Sequence, residues 1–159
     1  MRTRTTSVAC VALAALTGCG GLAEETVQGE IRDESLSLVD KTAGQSVWVE
    51  LTNVGSEACE LLVVMSEAPG ALPIGDGGRV EASLGGEGGH RTLEEMYVEI
   101  NGQARGGQEA GQSVPVAPGE SARLQIALTG IPEREDRVIL CNGEGDYERG
   151  RYAVLEFER

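Results

Sequence analysis

The chain has 159 residues, with 13 Lys+Arg against 26 Asp+Glu and a formal charge of -13. That length suits one domain, and so acidic a surface offers no basic stripe for a phosphate backbone, which excludes nucleic acid as a partner. Aromatic residues are 3% of the chain and there is one histidine, which excludes a stacking platform and a metal site built on several imidazoles, while 40% hydrophobic residues suffice for a core and exclude a fully disordered chain.

The N-terminus reads as an export signal. Arg2 and Arg4 form a positive start, and Val8 to Leu16 is an apolar run far short of the roughly 20 residues that span a bilayer as a helix. Leu16-Thr17-Gly18-Cys19 follows it and resembles the lipobox of bacterial lipoproteins. That resemblance implies a diacylglyceryl group on the Cys19 thiol and cleavage before Cys19, so that residues 1–18 are a signal peptide. Two or three acyl chains anchor stably without a basic patch, at about 0.8 kcal/mol for each buried CH₂. The expected location is the cell envelope: the outer side of the cytoplasmic membrane, or the outer membrane. Gly20 in place of Asp after the lipidated cysteine points outward in this family.

Residues 19–30 are small and acidic without periodicity and read as a flexible tether. From residue 31 to 159 the pattern is that of a β domain. Leu36 and Leu38 alternate with serines. In Ser46–Thr52, Val47, Val49 and Leu51 share one face and Trp48, Glu50 and Thr52 the other. Asn53-Val54-Gly55-Ser56 supplies turn chemistry. Cys59–Met65 is a continuous apolar run, as in a strand buried on both faces, and Arg79–Leu84 is a further short candidate.

Thr92–Ile100 fits two periods, but Met96, Val98 and Ile100 alternate and Asn101-Gly102 is a hairpin turn, which favours a strand. The glycine-rich stretches Leu84–Gly89 and Gly102–Gln112 read as long mobile loops. Val114–Glu120 is a Pro/Gly connector, and Ala122, Leu124, Ile126 and Leu128 then alternate with polar residues. Arg137–Cys141 and Arg151–Glu158 complete about seven strands, the pattern of an all-β antiparallel sandwich. VWVELTNVGSEACELLVV and VAPGESARLQIAL resemble two neighbouring pieces of immunoglobulin-like modules of bacterial envelope proteins. The resemblance covers about a third of the chain and implies fold only.

With Cys10 in the signal and Cys19 lipidated, Cys59 and Cys141 remain in an oxidising compartment. A bridge between them would close 82 residues and contribute about 4 kcal/mol in the chain-entropy model. The alternative is two separately buried thiols. Two cysteines and one distant histidine fall short of a closed zinc site.

Catalytic constellations are thin. His90 has Ser83 and Ser113 for company but no Gly-x-Ser-x-Gly elbow. Glu94-Glu95 and Glu133-Arg134-Glu135-Asp136-Arg137 could pair carboxylates for glycoside hydrolysis, but aromatic cleft walls are lacking. Asn142, Glu144, Asp146 and Glu148 put oxygens at alternate positions, as a calcium loop does. Tyr147 and Ala153 then stand where such a loop needs Gly and a bidentate Glu. The expected function is a membrane-anchored, non-enzymatic binding or structural module without cofactor, which meets the membrane through its lipid and an envelope protein as partner. The alternatives are weak calcium or small-ligand binding and, last, an envelope hydrolase.

Overall fold

The computed structural model describes residues 25–40, 42–43, 46–81, 90–92, 95–109, 112–127 and 136–157. These residues form strands and turns with no helix. The strands are β1 (Glu25–Ile31), β2 (Leu36–Leu38), β3 (Thr42–Ala43), β4 (Ser46–Asn53), β5 (Cys59–Ser66), β6 (His90–Thr92), β7 (Glu95–Ile100), β8 (Gln103–Glu109), β9 (Val114–Val116), β10 (Ser121–Ala127), β11 (Asp136–Cys141) and β12 (Tyr152–Phe157). One sheet has the order β2-β1-β4-β10-β7-β8. The other runs β3-β12-β11-β5-β6, and β9 shares the free edge of β5 with β6. Pairing is antiparallel except for β1 with β4 and β3 with β12.

Alternation builds the first sheet. Val47, Val49 and Leu51 of β4 and Ala122, Leu124 and Ile126 of β10 point inward and are buried, opposite one another in the antiparallel register. Val98 and Ile100 of β7 extend the same face. Against it lie Cys59, Leu61 and Val63 of β5, Val114 and Val116 of β9, Ile139 and Cys141 of β11, and Leu155 of β12. Two sheets that each bury one face account for this core.

The second sheet buries its other face as well. Leu62, Val64, Val138 and Leu140 pack there against Leu72, Val80 and Tyr147, under the connection that follows β5. This double burial is why Cys59–Met65 reads as a continuous apolar run. The covering connection is pinned from the β11–β12 loop. The Tyr147 hydroxyl donates to Pro69 O at 2.9 Å and accepts from Leu72 N at 3.2 Å.

The all-β sandwich expectation holds, with more strands than the pattern marks because several have only two or three residues. Two segments differ. The expected tether ends early, because Glu25–Ile31 is a strand running parallel to β4. Its inward positions are Val27, Gly29 and Ile31, and the central glycine breaks the apolar alternation. A Cβ on Gly29 would sit 2.4 Å from Ser37 O and 2.7 Å from a Leu51 methyl, so only glycine admits β2 this close. The expected mobile loop Gly102–Gln112 is mostly β8, which forms a hairpin with β7. Asn101 (φ 50°) and Gly102 (φ 75°) make its two-residue turn. Of Arg79–Leu84, Val80 makes one bridge to Ile74, and residues 82–84 lie outside the described residues.

Gly78 has φ 67°, and a Cβ there would lie 2.8 Å from Gly145 N, whose N–H donates to Gly78 O at 3.0 Å. Gly78→Ala should therefore cost about 2 kcal/mol and lower Tm by about 5 °C. An unchanged midpoint in thermal unfolding would contradict this close approach.

Candidate functional site

The chemistry-bearing side chains collect in two places: a loop end of the sandwich and the outer face of the first sheet. The loop end starts from a covalent staple. Cys59 at the start of β5 and Cys141 at the end of β11 form a disulfide, with Cα atoms 5.0 Å apart and both residues fully buried. Asn142 follows directly. Its Oδ1 accepts from Val80 N at 2.8 Å and its Nδ2 donates to Val80 O at 3.4 Å, so its amide acts as a cap for the covering connection.

Asp146 and Arg151 form the charged centre of this end. Both are buried, and Arg151 Nη1 donates to Asp146 Oδ1 at 3.0 Å. Arg151 Nε donates to Arg32 O at 3.0 Å, which ties the β1–β2 turn to the β11–β12 loop. Asp146 also accepts from Gly143 N at 3.1 Å and from Arg149. Arg149 reaches Glu57 at 3.1 Å, and Arg151 lies 3.6 Å from the same carboxylate oxygen. Asp146 first, and Glu57 next, hold the Arg149 guanidinium above its ordinary pKa.

Asp33 closes the network from the third loop. It accepts from Glu57 N at 3.0 Å, from the Ser56 hydroxyl at 2.8 Å and from Ser56 N at 2.7 Å. These hydrogen bonds, the Glu57 amide foremost, hold its carboxyl below the usual carboxylate range. Buried Asn53 joins the fourth segment: Nδ2 donates to Glu57 O at 2.9 Å and to Val116 O at 3.0 Å. The β1–β2, β4–β5 and β11–β12 loops and β9 are thus one hydrogen-bonded unit.

This geometry bears on the calcium alternative. The four expected oxygens do not converge. Asn142 is spent on Val80 and Asp146 on two guanidinium groups, while Glu144 and Glu148 are exposed turn residues. Asp146, the buried carboxylate of the set, is already paired with Arg149 and Arg151. Among the described residues, no three His, Cys, Asp or Glu side chains form a metal-sized group.

The outer face of the first sheet carries the other cluster. Trp48 and Tyr97 stand in the same row across β4, β10 and β7, with ring centroids 5.9 Å apart in an edge-to-face pair. Arg123 lies over the Trp48 ring at 4.0 Å. Its Nε is 3.1 Å from Glu50, without hydrogen-bond alignment, and its Nη1 is 3.8 Å from Glu99. Gln28 donates to Glu50 at 2.6 Å, and the Tyr97 hydroxyl donates to Glu99 at 3.0 Å, which raises the phenol pKa. A shallow depression of about 200 Å³ lies beside this row, lined by Gln28, Glu50, Thr52, Glu99, Ser121 and Arg123 among others. A count of aromatic residues does not reveal this cluster, whose members come together from neighbouring strands. The signal was present: Trp48, Glu50 and Arg123 occupy the polar positions of two alternating strands.

Among the described residues, the remaining candidates are not brought together. His90 begins β6, opposite Ser66, and does not lie in a loop. Cys19, Ser83, Glu94, Glu133, Arg134 and Glu135 lie outside the described residues. Glu95 pairs with Glu109 across the β7–β8 hairpin, and Ser113 precedes β9.

No protein-family model matches this sequence, and no curated protein sequence does. Solved structures do match in fold. A multi-copper oxidase from Pediococcus acidilactici superposes with a TM-score of 0.54 at 11% identity, over 98% of this chain and 31% of that one. The McoA multicopper oxidase of Aquifex aeolicus gives 0.52 at 12% identity, over 90% and 31%. An azurin from Methylomonas sp. strain J gives 0.48 at 13% identity, over 86% of this chain and all of that one. This chain spans about a third of the length of the oxidases it matches. The fold is a cupredoxin-like β-sandwich, and likeness at this identity establishes the fold alone.

The expectation of an envelope binding or structural module, with calcium or small-ligand binding as its alternative, is thereby corrected. The sandwich is of the kind found in the two multicopper oxidases. Asn-x-Gly turns and Pro-Gly connectors occur wherever short strands must reverse, so VWVELTNVGSEACELLVV could not distinguish one sandwich from another. The copper that this fold implies does not fit the donors here: His90 is the one histidine of the chain, and Cys59 and Cys141 are bonded to each other.

Asp33 has a lowered pKa in the folded state, so its contribution to stability is present above the unfolded pKa, near 4, and is lost as pH falls through the folded value. Asp33→Asn should lower Tm at pH 7, and the gap to the unsubstituted chain should close below about pH 4. Melts across pH 2–7 measure this; a gap independent of pH would contradict the assignment.

Proposed function

We propose that the chain is an exported lipoprotein that holds a cupredoxin-like domain outside a membrane, through lipid on Cys19. The observation that carries the reading is Leu16-Thr17-Gly18-Cys19, placed directly at the end of an apolar segment led by Arg2 and Arg4. The Cys59–Cys141 disulfide supports it, since such bonds persist in oxidising compartments. The charge of -13 supports it differently. Anionic lipid repels the body, so attachment falls to the acyl chains and the domain stands off the surface.

Strand β1 begins at Glu25, six residues after Cys19. A segment of that length reaches at most about 20 Å, which limits how far the domain stands off. The start of β1, beside the start of β4, is then nearest the anchor. The domain's proposed partner is another envelope protein.

Cys19→Ala should abolish incorporation of labelled fatty acid and release the chain from the membrane fraction. Metabolic labelling followed by fractionation tests this. Unlabelled wild-type protein, or unchanged fractionation of the variant, would contradict the reading.

A further inference from the structure

We infer that this chain is a cupredoxin-like domain whose own residues cannot assemble a type 1 copper centre, and whose loop end is ordered by a disulfide and a buried ion pair. A type 1 centre takes two imidazole nitrogens and a cysteine thiolate in a trigonal set, with a weak axial ligand. The inventory fails at the imidazoles, because the chain has one histidine. Among the described residues it fails again at the thiolate. Cys59 and Cys141 share a disulfide, and a disulfide sulfur has no thiolate charge to offer a metal. Reduction would free two thiols but would not supply the second imidazole.

The buried carboxylate at the same end is also committed. Asp146 lies between Arg149 and Arg151, and Arg151 is 1% exposed. A metal ion at Asp146 would face two positive groups in a setting where charge is poorly screened. Removing the carboxylate from Arg151 would in turn strand a buried guanidinium.

The loop end is nonetheless held from several sides without a metal. Arg151 binds the Arg32 carbonyl, Asp33 binds the backbone at Ser56 and Glu57, and Asn53 reaches Val116. The disulfide fixes the two strands from which the β4–β5 and β11–β12 loops depart. Metal-independent folding with redox-dependent stability follows. The inference is separate from the anchoring reading, since lipid on Cys19 or a free Cys19 leaves the number of imidazoles unchanged.

The test uses the full exported chain in its oxidised form, with an azurin as positive control. Copper(II) is added from substoichiometric to several-fold excess while visible absorption, electron paramagnetic resonance and Tm are recorded. The expected result is no intense blue thiolate-to-copper band and no change of Tm, with or without a chelator. Reduction of the same chain should lower Tm by about 10 °C. A blue species with the narrow copper hyperfine splitting of the control, or a midpoint raised by one equivalent of copper, would overturn the inference. So would a reduced chain that melts with the oxidised one.

Discussion

The pairing of β5 with β11, covered on both faces and stapled by Cys59–Cys141, is the constraint on which the other elements depend. Six consecutive residue pairs join the two strands, from Asp136–Ser66 to Cys141–Leu61. One face feeds the core between the sheets through Leu61, Val63 and Ile139. The other face, Leu62, Val64, Val138 and Leu140, recruits the connection after β5 and the Tyr147 loop. With few aromatics available, the chain gains its buried area from many Val, Leu and Ile side chains, each contributing about 1.5–3 kcal/mol. The disulfide limits the unfolded chain over an 82-residue span and so supplements an aliphatic core.

The charged groups divide the work by depth. On the outer face of the first sheet, Arg123 spans Glu50, Glu99 and Trp48 while remaining open to solvent, so each contact is worth little alone. At the loop end, Asp146 and Arg151 are buried, and their pairing is costly to break even where forming it gains little. This second kind of contact fixes which loops touch. It gives the sandwich a loop end ordered by side-chain polarity.

Much of the fold was legible because burial leaves a period. Val47, Val49 and Leu51, then Ala122, Leu124 and Ile126, mark two neighbouring strands directly, and the unbroken run from Cys59 marks a doubly covered one. Legibility failed where glycine replaced the apolar signal, at Gly29 in β1 and through β8, since a strand position filled by glycine leaves no side chain to read. The disulfide was readable from cysteine counting. The loop end was not: Asp33 meets Ser56 and Glu57 across 23 and 24 residues, and Arg151 meets Arg32 across 119, with no local pattern to announce either. The Asn142–Glu148 spacing misled because regular spacing of oxygens does not show that Val80 already holds Asn142 and that Arg149 and Arg151 hold Asp146.

Native-state hydrogen exchange tests the central claim most directly, because amides that open only on global unfolding identify the last structure to yield. The account predicts that the slowest amides lie in β5 and β11, at Leu61–Val64 and Val138–Leu140, in the oxidised chain. Slowest exchange confined to β4 and β10, with β5 and β11 opening earlier, would contradict it.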